Sequence, residues 1–116
     1  MSLDIWLVRP IRPPCPHCGR FDEGMERFDA NITHNLVPMW REAGCADALY
    51  ENDGKTAGGI LPALEAAVVA MRSDPARFMK HDSPNGWGLY EHALPWLEKL
   101  TNACRLHPDF IVRVSR

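Results

Sequence analysis

No apolar run in this 116-residue chain approaches the roughly 20 residues that a membrane-spanning helix needs, so no membrane partner is expected. A large charge of one sign is also missing. The 13 Lys and Arg against 15 Asp and Glu leave a formal net charge of −2, which argues against extensive nucleic-acid binding. Local basic spots remain at Arg9 and Arg12 and again at Arg113 and Arg116. The first residues lack a basic region followed by an apolar stretch and a small-residue cleavage site, which predicts a cytoplasmic protein. Cysteine is sparse. In a reducing compartment the four cysteines are expected as free thiols or metal ligands rather than disulfides. Repeats, low-complexity tracts and flexible linkers are absent, so residues 1–116 are expected to form a single domain.

The signatures of common enzymes are missing too. There is no hydrolase elbow and no His-Glu-x-x-His zinc helix. Gly54-Lys55-Thr56 resembles the end of a phosphate loop, but the glycine that should precede it at the required spacing is not there. Glu91 and His92 are adjacent and cannot face one spot from a helix. A serine or cysteine triad cannot be assembled.

What is present is a clear pattern of elements. Residues 3–9 put Leu3, Ile5 and Leu7 on one face of a strand and Trp6 and Val8 on the other. Pro10, Pro13, Pro14 and Pro16 then end the ladder. A strand within residues 20–30 is an optional third member. The spacing of Ile32, Leu36, Met39, Trp40 and Ala43 predicts a helix over about 32–43, with Gly44 as its stop. Pro38 requires that this helix start late, with Asn35 as cap, or else be kinked. Asn52-Asp53-Gly54-Lys55 is a turn, and Glu51 to Gly59 is expected to be a mobile loop.

A second helix is expected over 60–72, with Pro62 in its first turn. Ser73-Asp74-Pro75 opens a short helix over 75–80. Leu89, Ala93, Trp96, Leu100 and Ala103 mark a third main helix over 89–105. Alternation over 110–115 predicts a last strand. The fold class that follows is α+β: three main helices packed on a small antiparallel sheet that pairs the N- and C-terminal strands.

Two polar segments concentrate groups that can bind a ligand. In Asn31-Ile32-Thr33-His34-Asn35, three capping residues and a histidine occupy five positions, more than one helix cap requires. In Asn85-Gly86-Trp87-Gly88-Leu89-Tyr90, two glycines flank an indole. Glycine permits positive φ and close backbone approach. The candidate binding residues are Asn31, Thr33, His34 and Asn35 on one wall and Asn85, Gly86, Trp87, Gly88 and Tyr90 on the other, with Trp87 and Tyr90 as a stacking platform. The bland alternative is a pair of structural joints: caps in the first segment, and a tight turn anchored by Trp87 in the second.

Cys15-Pro16-His17-Cys18-Gly19 matches half of a zinc site, and zinc is therefore a possible cofactor with Cys15 and Cys18 as ligands. Cys45, Cys104, His17 and His34 are the candidates to complete it. The same four residues also occur as redox dithiols, but the flanking prolines and Gly19 oppose the helix such a motif opens. An inert loop is the third reading.

The sequence resembles a group of small uncharacterised proteins encoded by bacteriophages and prophages. The likeness rests on Asp4-Ile5-Trp6-Leu7, Cys15-Pro16-His17-Cys18-Gly19, Asn31-Ile32-Thr33-His34-Asn35-Leu36, Asn85-Gly86-Trp87-Gly88, Pro95-Trp96-Leu97 and the ending Pro108-Asp109 with Val112-Arg113-Val114-Ser115-Arg116. It spans nearly the whole chain. It implies a bacterial host cytoplasm and carries no activity with it. Three functions stay open. The first is binding of a small polar, nucleotide-like ligand, in a phage setting a sequestered host immune signal and hence counter-defence. The second is a module that binds and inhibits a host protein, with a structural zinc knuckle. The third is a small hydrolase or transferase using His34 as base.

Overall fold

The computed structural model describes the backbone of residues 2–10, 17, 23–82, 84, 86 and 88–115, and the side chains of all of these except 2, 10 and 23–29. Strands β1 (Ser2–Pro10), β2 (Glu23–Thr33) and β3 (Ile111–Ser115) form an antiparallel sheet in the order β2-β1-β3. The N- and C-terminal strands are therefore neighbours, and the α+β class read from the sequence is the one observed. Leu3, Ile5 and Leu7 are completely buried and explain the register. Leu3 lies opposite Ile32, Ile5 between Ala30 and Val114, and Leu7 opposite Val112, so one apolar face is turned to the helices. The optional third strand is real and runs further than expected, absorbing Asn31–Thr33.

Among the described residues, five helices share one apolar core with that face: α1 (Val37–Ala43), α2 (Ala46–Tyr50), α3 (Ala57–Ser73), α4 (Pro75–Met79) and α5 (Tyr90–Leu106). α1 starts late, after a 3-10 turn over His34–Leu36, which leaves Pro38 in its first turn where a missing N–H costs little. Gly44 ends it at φ 84°. Pro62 departs from the expectation. It is the sixth residue of α3 rather than part of the first turn, because the helix already begins at Ala57, where the Thr56 hydroxyl accepts the Gly59 N–H at 3.2 Å. Pro95 holds the same sixth place in α5.

α3 and α5 pack against each other through Leu64, Ala67, Val68 and Met71 on one side and Ala93, Leu97, Leu100 and Cys104 on the other. Each large aliphatic side chain buried there is worth about 1.5–3 kcal/mol. Ion pairs Arg72–Glu98 (2.7 Å) and Arg105–Glu65 (3.1 Å) tie the rims of the same interface. The tilted Trp40 and Trp96 rings, 5.6 Å apart, join α1 to α5. Among the described residues no helix is long and apolar enough to cross a membrane.

The segment from Glu51 to Gly59 is not the free loop that its glycines suggest. Gly54 N–H donates to Val112 O (2.7 Å), Val112 N–H to Lys55 O (2.7 Å) and Ala57 N–H to Phe110 O (2.8 Å). One Asp53 carboxylate oxygen accepts the Val114 N–H (2.9 Å) and the Arg113 Nε–H (3.1 Å). The outer edge of β3 is thereby paired, which answers the aggregation hazard of an open edge.

Candidate functional site

The two polar segments, remote in sequence, meet. Gly88 is buried, with φ +112°, and a Cβ placed on it would lie 3.0 Å from the Asn35 Cβ and 3.5 Å from Leu36 Cδ2. Only glycine allows both that conformation and that approach. Gly86, at φ +79°, is exposed and has open space around it. Asn85 and Trp87 lie outside the described residues.

The first segment fans out from the end of β2. Asn31 is exposed and its Nδ2 donates to Asp4 Oδ1 across the sheet at 2.6 Å. Thr33 caps the 3-10 turn, its hydroxyl accepting the Asn35 N–H at 3.3 Å. His34 is half-buried, and its Nδ1 lies 2.9 Å from the Tyr50 hydroxyl, with ring centroids 5.6 Å apart. Among the described residues, His34 Nε2 has no partner. Asn35 is exposed beside Gly88. Asn31 and Thr33 thus belong to the sheet and the turn, while His34 and Asn35 flank the junction.

Tyr90 does not offer a stacking face. It is only 9% exposed, and its hydroxyl donates to Met71 O at 2.7 Å. The Met71 carbonyl lies in the last turn of α3, where Asp74 leaves helical geometry at φ −144°, ψ 72° and no helical N–H follows to satisfy it. The start of α5 is likewise already occupied. Asp82 Oδ1 accepts the Tyr90 N–H at 2.7 Å, so a carboxylate sits where a helix dipole would otherwise attract an anion.

Neither Tyr50 nor Asp82 stands out in the sequence. Tyr50 is sixteen positions from His34 and on another helix, so no local spacing links the two. Asp82 could have been noticed as an acidic residue upstream of a helix that begins at Leu89-Tyr90 without a capping side chain.

Cys15 and Cys18 lie outside the described residues, so the knuckle has no geometry to report. His17 is in an exposed turn. Cys45 and Cys104 are free, buried thiols, and burial pushes both up to about 12. Among the described residues no group of three or more His, Cys, Asp or Glu could hold a metal ion.

Two other polar clusters join helices. Glu42 on α1 receives Lys80 Nζ (3.0 Å), Arg77 Nη2 (3.3 Å) and, further off, His81 Nε2 (3.8 Å). The hydrogen bonds from Lys80 and Arg77 lower its carboxyl to about 2. A groove of about 250 Å³ between α3 and α5 is lined by Val68, Arg72, Glu98, Thr101, Asn102 and Arg105. Both of its guanidinium groups are engaged by carboxylates. These clusters read as ties between helices.

Comparison with protein-family models, curated proteins and solved structures returns no match for this chain.

Proposed function

We propose that this protein binds a small polar, nucleotide-like ligand at the junction of its two polar segments. The observation that carries the reading is the approach of Gly88 to Asn35. It brings a glycine-rich loop against a segment bearing an anchored histidine whose second nitrogen has no partner among the described residues. His34 Nε2 and the Asn35 amide would supply polar contacts, and Trp87, bonded directly to Gly88, would supply the stacking surface. Asp82 fixes the start of α5 by accepting the Tyr90 N–H, and Tyr90 is tied into the core through Met71 O, so neither is assigned a ligand contact. Asn31 contributes through the sheet edge that sets the course of the segment.

The resemblance to phage-encoded proteins gives the reading its setting. A small binding protein made in an infected bacterium could sequester a nucleotide-like host signal. Native mass spectrometry of the protein recovered from infected cells tests this. A small-molecule adduct that disappears in His34→Ala supports it. An adduct-free wild type, or an adduct that survives that substitution, counts against it.

A further inference from the structure

We infer that Tyr50 is the positioning residue for His34, holding the neutral imidazole with its proton on Nε2 so that the ring offers a donor to an acceptor oxygen of the ligand. The inference rests on the reading of His34 as a binding residue, and it specifies what that residue recognises.

Both partners are held firmly. His34 opens a 3-10 turn capped by Thr33. Tyr50 closes α2, where the neighbouring Ala48 and Leu49 are buried and the Glu51 N–H and Asn52 Nδ2 both donate to Asp47 O at 2.8 Å. The 2.9 Å separation of Tyr50 Oη and His34 Nδ1 is a full hydrogen bond. Two directions are conceivable for it, and acidity chooses between them. A phenol, with a reference pKa of about 10, is a far better acid than a neutral imidazole N–H, and a bare imidazole nitrogen is a better base than a phenol oxygen. The favoured bond therefore runs from the Tyr50 O–H to Nδ1, and the ring proton sits on Nε2.

The consequence is chemical. An Nε2–H group donates to phosphate, carboxylate or carbonyl oxygens. It cannot ligate a metal without first moving its proton, which would reverse the Tyr50 bond. The pair thus favours an oxygen-rich ligand at His34 and disfavours its use as the missing ligand of a zinc site.

Long-range proton–nitrogen NMR of the labelled protein, at a pH where histidine is neutral, tests the assignment. The expected spectrum has a bare, hydrogen-bonded Nδ1, a protonated Nε2 and an observable Tyr50 hydroxyl proton close to His34. In Tyr50→Phe that proton vanishes and Nδ1 moves to the position of an unbonded nitrogen. With adenosine monophosphate as probe, Tyr50→Phe should bind roughly fivefold more weakly than wild type, as expected for loss of one hydrogen bond. His34→Ala should not bind, and adding Tyr50→Phe to it should change nothing further. A protonated Nδ1 in the wild type, or a His34 spectrum indifferent to Tyr50→Phe, would overturn the inference. If the probe disturbs His34 in no variant while the Tyr50 bond is seen, the binding reading falls and the positioning role stands.

Discussion

Asn35 and Gly88 are in contact across 53 residues of chain: a Cβ on Gly88 would stand 3.0 Å from the Asn35 Cβ and 3.4 Å from the Asn35 carbonyl carbon. Gly88→Ala therefore faces two penalties at once, a positive φ and a tight contact with the Asn35 Cβ. About 1–3 kcal/mol of lost stability is expected in urea titration. Gly86→Ala also has positive φ but meets nothing within 4 Å, and should cost less. Equal losses at the two positions would show that the junction is looser than described.

Tyr90→Phe should destabilise by about 1–3 kcal/mol, because it leaves the Met71 carbonyl buried with no donor. Thermal melts of wild type and variant check this. An unchanged melting temperature would mean the Met71 carbonyl is satisfied in another way.

Glu42→Gln probes the tie between α1 and α4. The folded-state carboxyl is held down to about 2, below its value in the unfolded chain, so its contribution is present above the unfolded pKa and is lost as pH falls through about 2. The stability gap between wild type and variant should be constant near neutrality and close as pH drops from about 4.5 toward 2, and it should shrink in high salt because the group is partly exposed. A gap that persists in acid would assign the effect to packing.

The pairing of residues 53–57 with β3 predicts slow amide exchange at Gly54, Ala57 and Val112, all donors in that ladder. Asp53→Ala should speed exchange at Val114, whose amide depends on that carboxylate. Exchange at the rate of an unstructured peptide across this stretch would restore the picture of a free loop.

Much of the fold was legible from short-range chemistry. Leu3, Ile5 and Leu7 alternate, Gly44 needs a left-handed stop, and Asp74-Pro75 starts a helix, so each signal sits in the residues that form the element. What was not legible depends either on partners distant in sequence or on elements too short to carry a periodic signal. Asn52 to Gly59 carries the composition of a loop, and only β3, more than fifty residues later, makes it a sheet edge. α2 is a five-residue helix without a capping side chain, too short for a periodic signal. In the candidate site, His34 and Gly88 were visible by type. Their companions Tyr50 and Asp82 were not, because a single tyrosine or aspartate acquires its role only from what the fold sets beside it.

The most direct measurement is a pair of experiments on one substitution: ligand occupancy by native mass spectrometry and melting temperature for wild type and His34→Ala. The account predicts a small polar adduct on the wild type, none on the variant, and melting temperatures close to each other. A large fall in melting temperature with no adduct on the wild type would contradict it and make the two polar segments structural joints.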